Sequence, residues 1–329
     1  MRTQCSLAMQ NAPARPLRGV DHHVLERLVD AVGTVFRGRR ETVRLSVAAL
    51  LAGGHVLFED VPGVGKTTLA RALATALGLD FRRIQFTSDL LPSDVLGVSV
   101  YNPRLQEFET RPGPIFAQVL LADEINRAPP RTQSGLLEAM QEGRVTLDDR
   151  TRELPRPFLV LATQNPLEQY GTYPLPESQL DRFLMKLNIG YPDAEREREI
   201  LLGATAGDPV EGLAPVMGPA QVLALQALVD GVRADPALVD YLMQIVTATR
   251  VDGRLRSGVS TRGAVALFRA ARAYALVDGR DFLVPDDVRR LVVPCLAHRV
   301  SPAGASAGSG HDEAAAVLEE IVSAIEVPV

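Results

Sequence analysis

Cysteine is nearly absent from this chain. Cys5 and Cys295 are the only two in 329 residues. They form no metal-ligand spacing and no disulfide framework, and a reducing compartment suits them. Long apolar runs are missing as well. The longest, Ser46 to Phe58, is interrupted by Gly53 and Gly54 and is too short to span a bilayer. The N-terminus lacks the apolar core of a secretory signal. These absences lead to an expectation of a cytoplasmic protein with no membrane insertion. There is no excess of positive charge: 35 Lys and Arg stand against 40 Asp and Glu, giving a net charge of −5 and a pI near 5.7. The fold as a whole therefore offers no electrostatic footprint for nucleic acid, although abundant arginine leaves room for local basic patches. No internal repeat is visible. What is present is an ordinary globular composition, in a chain long enough for two domains and a large core.

Residues 1–20 carry Pro13, Pro16 and Gly19 and no periodicity, and read as a flexible tail. Val24 to Val35 and Glu41 to Ala52 have helical apolar spacing, and Gly53-Gly54 stops the second helix. Five strand-length apolar segments follow: His55–Phe58, Phe81–Phe86, Gln118–Ala122, Phe158–Ala162 and Leu184–Ile189. Most alternate with helical stretches, the pattern of a parallel five-stranded sheet in an α/β domain. Two hairpins interrupt it. One runs Gly97–Tyr101 and returns through Glu107–Thr110; the other runs Arg144–Leu147, turns at Asp148-Asp149 and returns through Thr151–Leu154. After Tyr191-Pro192-Asp193 helical periodicity dominates, in segments beginning at Ala194, Pro219, Pro236, Arg262, Pro285 and Asp312. The expected organisation is an αβ domain over 21–190 and a smaller all-α domain over 191–329.

The most informative stretch follows the first apolar strand. Glu59-Asp60-Val61-Pro62-Gly63-Val64-Gly65-Lys66-Thr67-Thr68 reads as a phosphate loop between a buried strand and a helix. Gly63 and Gly65 have no Cβ, so the backbone can turn tightly and offer its N–H groups to phosphate oxygens. Lys66 can reach the β- and γ-phosphates of ATP, and the Thr67 hydroxyl can take a place on Mg²⁺. The following helix has Leu69, Leu73 and Leu77 on one face and Gly78 as its cap, and its dipole favours anions at its start. The first glycine of the general pattern G-x-x-x-x-G-K-[ST] is replaced by Asp60. A Gly-Pro turn that happens to precede Lys-Thr would give similar letters. The candidate nucleotide-binding set is Asp60, Pro62, Gly63, Val64, Gly65, Lys66, Thr67, Thr68 and Asp123, with Thr67 and Asp123 on the metal.

Four further residues carry candidate chemistry. Gln118-Val119-Leu120-Leu121-Ala122 ends in Asp123-Glu124, two acids at the strand edge where α/β sheets bind ligands. Asp123 would hold Mg²⁺ through water, and Glu124 would act as general base on the attacking water. The alternative is a strand ending in solvated carboxylates. Asn165 ends the fourth strand, before Pro166. It can orient water or touch the γ-phosphate, or serve as an ordinary turn asparagine. Arg182, in Leu180-Asp181-Arg182-Phe183, could reach a neighbouring subunit's phosphate as an arginine finger, or pair with Asp181 on the surface. Arg262 opens a helix capped by Ser260. From the second domain it could contact the γ-phosphate, or stand solvated in the first turn.

In this order the elements resemble an AAA+ ATPase: Walker A, Walker B, sensor 1, arginine finger and sensor 2. The strings Glu59–Thr67, Gln85–Asp94, Asp123–Ala128, Ala162–Pro166, Leu175–Phe183 and Ala297–Arg299 resemble the MoxR family over about residues 21–300. Asp60 is a departure from the general Walker A pattern that this family often shows. Arg39-Arg40 stands where the family usually has Gly-Gln or similar, and Val35 to Gly38 are expected to line the adenine edge. The resemblance implies an AAA+ core with two hairpin inserts and a helical lid. It also implies a homo-oligomeric, hexameric ring with ATP at subunit interfaces. The activity it implies is that of a chaperone-like motor working on a protein client, paired with a von Willebrand factor A domain protein. A nucleic-acid motor and a metal-chelatase motor subunit are the rival readings. The hairpin tips, Asn102-Pro103-Arg104 and Asp148-Asp149-Arg150, make a poor phosphate track, which argues against nucleic acid as partner.

Overall fold

The computed structural model describes residues 23–104, 106–147, 150–166, 171–203, 207–304 and 310–328. The expected N-terminal tail and the Asp148-Asp149 turn lie outside the described residues.

Two compact units divide the chain. One runs Arg27–Gln226, and the other takes Ala227–Val329 together with the start of the chain up to Glu26. In the first unit, α1 (His23–Val35), from Arg27 onward, and α2 (Arg40–Leu51) lead into β1 (Val56–Glu59), and α3 (Lys66–Ala76) follows the phosphate loop. Next come β2 (Phe81–Gln85), the short α4 (Pro92–Leu96), the hairpin β3 (Gly97–Asn102) and β4 (Glu107–Pro112), and β5 (Val119–Asp123). A 3₁₀ turn at Ile125–Arg127 precedes α5 (Pro130–Glu142), the hairpin β6 (Arg144–Leu147) and β7 (Arg150–Glu153), and β8 (Leu159–Gln164). The unit continues through α6 (Glu177–Leu180), β9 (Met185–Leu187) and α7 (Ala194–Gly203) into α8 (Pro219–Val229).

Five strands form one parallel sheet in the order β2-β5-β8-β1-β9. The sequence of each strand follows from its place. Central β5 and β8 are covered on both faces and are continuous apolar runs, Val119–Ala122 and Leu159–Ala162, buried throughout. Edge strand β2 buries only Ile84 and exposes Arg82, Arg83 and Gln85. On one face Leu57, Leu120, Val160 and Ala162 pack with Phe86, Leu136, Leu137 and Phe183 in a single apolar cluster. Helix α3 buries Leu69 and Leu73, and Leu77 just past its end is buried with them, the face read from the sequence.

The first unit extends past the boundary expected near Gly190. The difference has a physical cause: residues 191–226 are tied to the sheet region by polar contacts that run far along the chain. Arg196 Nη1 donates to the Gly38 carbonyl at 2.7 Å, Arg71 pairs with Asp208 at 2.5 Å, and the Val216 N–H donates to the Ala76 carbonyl at 2.7 Å.

The second unit is built on α9 (Pro236–Val251), α10 (Thr261–Val277), α11 (Pro285–Leu296) and α12 (Gly310–Ala324). Among its described residues it is mainly helical, with a small antiparallel pair of β10 (Leu255–Ser257) with β11 (Ser301–Pro302) and a lone parallel bridge of Arg233 with Phe282, which the sequence expectation lacked. Tyr241, Leu267, Tyr274, Leu291 and Leu318 are among its buried core residues. Arg280 forks onto Asp287 at 2.6 and 2.8 Å, and Asp287 in turn accepts from the Val284 N–H at the start of α11. Among the described residues no helix is long and apolar enough to cross a membrane.

Candidate functional site

The site is assembled at the C-terminal edge of the sheet by strand register. Parallel pairing places Gln85 beside Asp123, and Ala122 beside Ala162, so that Thr163 comes next to Asp123; Phe58 pairs with Thr163. The loop after β1 then carries the phosphate-loop residues to the same edge.

Within that loop Gly63 and Gly65 have φ of 87° and 92°. A side chain at Gly63 would meet nothing within 4 Å, so its requirement for glycine is one of dihedral angle. A Cβ on Gly65 would also press to 3.4 Å from the Phe36 ring. Pro62 and Gly63 are exposed, Val64 is buried, and Thr67 and Thr68 are half-buried in the first turn of α3. Lys66 Nζ donates to the Asp60 carbonyl at 2.6 Å. Burial lowers its pKa from the usual lysine value, against the opposing fields of Asp60, Asp123 and Glu124.

Asp60 does something the sequence did not assign to it. Grouped there with the nucleotide-contacting residues, its carboxylate is committed to backbone amides. Oδ2 accepts from the Ile189 and Gly190 N–H groups, both at 2.7 Å, and Oδ1 from the Val61 N–H at 2.9 Å. It fastens the start of the phosphate loop to the end of β9. Glu59 braces the same region, accepting from Gln164 Nε2 and pairing with the buried Lys186, both at 2.5 Å.

The two acids are held by a threonine. Thr163 Oγ1 donates to Asp123 Oδ1 at 2.6 Å and accepts from the Glu124 N–H at 2.8 Å. Glu124 has a left-handed backbone, φ 57° and ψ 50°, a strained conformation for a residue with a side chain. Its carboxylate accepts from Gln85 Nε2 at 2.9 Å and pairs with Arg127 Nε at 2.8 Å. Asp123 Oδ2 accepts from Arg83 Nη2 at 2.7 Å. Thr163, Gln85, Arg127 and Arg83 are the partners that motif reading left without a role. Register between strands distant in sequence brings Thr163, Gln85 and Arg83 to the acids, whereas Arg127 lies three residues after Glu124 in the 3₁₀ turn.

Asn165 follows β8 directly and is buried. Arg182 lies just beyond α6, half-buried, with Nη1 donating to the Leu137 carbonyl of α5 at 2.8 Å rather than standing as a bare surface arginine. Arg262 stands in the first turn of α10 in the second unit, behind Ser260, whose Oγ accepts from the Gly263 N–H at 3.1 Å. Of the stretch expected at the adenine edge, Phe36, Arg37 and Gly38 line a cavity of about 610 Å³ with Val43, Asp193 and Arg196; Val35 does not. The Phe36 ring that lines it also lies 3.4 Å from where a Cβ on Gly65 would stand.

The donor set fits a Mg²⁺ ion shared with phosphate oxygens. Among the described residues no three His, Cys, Asp or Glu side chains gather into an all-protein metal cage. Magnesium, which keeps waters and binds through one or two protein oxygens plus phosphate, needs none. Thr67 and Asp123 are the oxygens expected from the sequence to hold it; Asp123 here accepts from Thr163 and Arg83.

Comparison with known proteins agrees with this geometry. A family described as "ATPase family associated with various cellular activities (AAA)" matches residues 55–185, and one described as "AAA lid domain" matches 247–321. Chaperone MoxR1 of Mycobacterium tuberculosis is 44% identical, with 84% of this chain and 76% of that one covered. Protein MoxR of Paracoccus denitrificans is 34% identical over 83% of this chain and 88% of its own. Protein YeaC of Bacillus subtilis, uncharacterized, is 52% identical over 94% and 96%. A crystal structure from Cytophaga hutchinsonii superposes with a TM-score of 0.85 at 36% identity, covering 94% of this chain and 96% of that one. The parallel sheet is therefore that of an AAA+ ATPase, and the chain belongs to the MoxR family.

Proposed function

We propose that this chain is a Mg²⁺-dependent ATPase motor that remodels, assembles or activates a protein client, working as a hexameric ring with a von Willebrand factor A domain partner in the cytoplasm. The observation that carries the reading is the Thr163 hydroxyl, which joins Asp123 to Glu124 in the electrostatic reach of Lys66. That arrangement supplies a cation ligand, a base and a phosphate-binding ammonium at one sheet edge.

In this reading the loop amides of Gly63 to Thr67 cradle the phosphates, and Lys66 exchanges the Asp60 carbonyl for phosphate oxygens. Thr67 and Asp123 would hold Mg²⁺, which would supply positive charge against the transferred phosphoryl group. Glu124 takes the proton of the attacking water, and Asn165 orients that water. Arg182 exchanges its Leu137 carbonyl for the phosphate of a neighbouring subunit, since a guanidinium has five donors to share. Arg262 reports the γ-phosphate to the lid, taken as the helical region after Gly190. The exposed faces of the β3–β4 hairpin, Tyr101 and Phe108 among them, meet the client. The acidic pI and the sparse basic charge at the hairpin tips favour protein over nucleic acid.

The test is nucleotide binding by Lys66→Ala. Loss of measurable ATP affinity in a folded variant supports the assignment, and wild-type affinity overturns it.

A further inference from the structure

Strand β2 is the edge of the sheet, and its exposed positions do more than solvate it. The alternation of a strand sets Arg83 and Gln85 on one side, pointing at the end of β5. Arg83 Nη2 lies 2.7 Å from Asp123 Oδ2 and 3.1 Å from Gln85 Oε1, while Gln85 Nε2 lies 2.9 Å from Glu124 Oε2. A guanidinium can only donate. Gln85 must therefore turn its amide oxygen to Arg83, which leaves its NH₂ for Glu124. One arginine thus touches the first acid directly and sets the partner of the second.

We propose that Arg83 is a positioning residue that competes with the divalent cation for Asp123 and, through Gln85, fixes how Glu124 is presented to water. The proposal rests on the site reading given above. With Thr163 on Oδ1, both oxygens of Asp123 already carry a donor, and the one on Oδ2 is positively charged. A cation approaching Asp123 must share that oxygen with Arg83 and meets its repulsion. The geometry allows Arg83 to yield: its side chain is 48% exposed, against 16% for Asp123, and among the described residues no strand lies beyond β2. An exposed ion pair of this kind is worth about fivefold in an equilibrium at most, enough to tune cation affinity without abolishing it. When a cation takes Asp123 Oδ2, Nη2 can stay on the Gln85 oxygen, so the hold on Glu124 outlasts the contact with Asp123.

The experiment titrates Mg²⁺ against a fluorescent ATP analogue bound to full-length protein, with a parallel nucleotide titration in EDTA. Wild type, Arg83→Ala and Arg83→Lys are compared, and turnover is measured at saturating Mg²⁺. The expected result is a half-saturating Mg²⁺ concentration about three- to fivefold lower in Arg83→Ala. Metal-free nucleotide affinity should stay within about twofold of wild type, and turnover should fall because Gln85 has lost its orienting donor. Arg83→Lys keeps the charge, but its ammonium stands on a flexible stem in place of the planar guanidinium whose single Nη2 serves both acceptors, so it should fall between. A tighter metal midpoint combined with slower turnover is not a pattern that general damage to the strand produces. An unchanged or higher midpoint in an Arg83→Ala protein that binds nucleotide normally would overturn the inference and leave the ATPase reading standing. Failure of wild type to bind nucleotide in either medium would overturn both.

Discussion

Asp60→Gly restores the general glycine pattern of the phosphate loop letter for letter, yet it should weaken the protein. The carboxylate accepts three backbone N–H groups, two of them at 2.7 Å from the exit of β9 and one at 2.9 Å within the loop. Hydrogen bonds to a charged group contribute about 1.5–3 kcal/mol each, and bonds sharing one acceptor do not add fully. The Val61 amide sits in a half-exposed loop and can be satisfied by water. The two strand-exit bonds are the ones lost in earnest, about 3 kcal/mol together. Glycine adds about 0.5–1 kcal/mol of unfolded-chain entropy. In a unit of this size each kcal/mol lowers the melting temperature by about 2–4 °C, so a drop on the order of 10 °C is expected. The local readout is amide hydrogen exchange. The Ile189 and Gly190 amides should lose protection by a larger factor than the central strands β5 and β8. Asp60→Asn, which keeps one accepting oxygen, should show about half the loss. Wild-type protection at residues 189 and 190, with a stability change below about 0.5 kcal/mol, would refute the reasoning, because surface changes without a structural role fall in that range.

Two other perturbations read different parts of the account. Thr163→Val keeps the shape of a residue buried among the strands but removes both the donor to Asp123 and the acceptor for the Glu124 N–H. Turnover should fall about 10- to 100-fold with ATP affinity little changed, since positioning rather than phosphate binding is lost, and steady-state kinetics beside equilibrium titration separate the two. His55 is buried between the Val160 N–H, which its Nδ1 accepts at 3.0 Å, and the Met140 carbonyl, 3.2 Å from Nε2. Burial pushes its pKa from 6.5 down to about 4. Between those values the unfolded chain takes up a proton that the folded one refuses. Stability should therefore fall as pH drops from about 6.5 to 4, by up to about 3 kcal/mol, and the His55 contribution should level off below that. Urea unfolding at several pH values checks this, and a His55→Gln variant should lose that part of the slope.

How much of this was legible in the sequence depends on how far apart the cooperating residues lie. The runs Val119–Ala122 and Leu159–Ala162 announce strands buried on both faces. Gly63-Val64-Gly65-Lys66-Thr67 announces its own turn, because everything it needs is local. The clamp by Asp60 was not legible, since its partners at Ile189 and Gly190 are far along the chain and are backbone groups with no sequence signature. The same holds for Thr163, whose role exists only once parallel register sets it beside Asp123. The extent of the first unit depends on contacts such as Arg71–Asp208 and Arg196 to Gly38, which no periodicity reveals. Strands β10 and β11 are too short to show alternation and pair across a wide sequence gap.

The central claim is that Glu124, held by Thr163 in a strained backbone at the end of β5, is the base for ATP hydrolysis. The direct measurement is single-turnover hydrolysis by Glu124→Gln with Mg²⁺·ATP bound. The amide keeps the size and a hydrogen-bonding oxygen but cannot take a proton, so ATP should bind with near wild-type affinity while hydrolysis slows by about 10²-fold or more. Hydrolysis at the wild-type rate by that variant would place the base elsewhere and contradict the account.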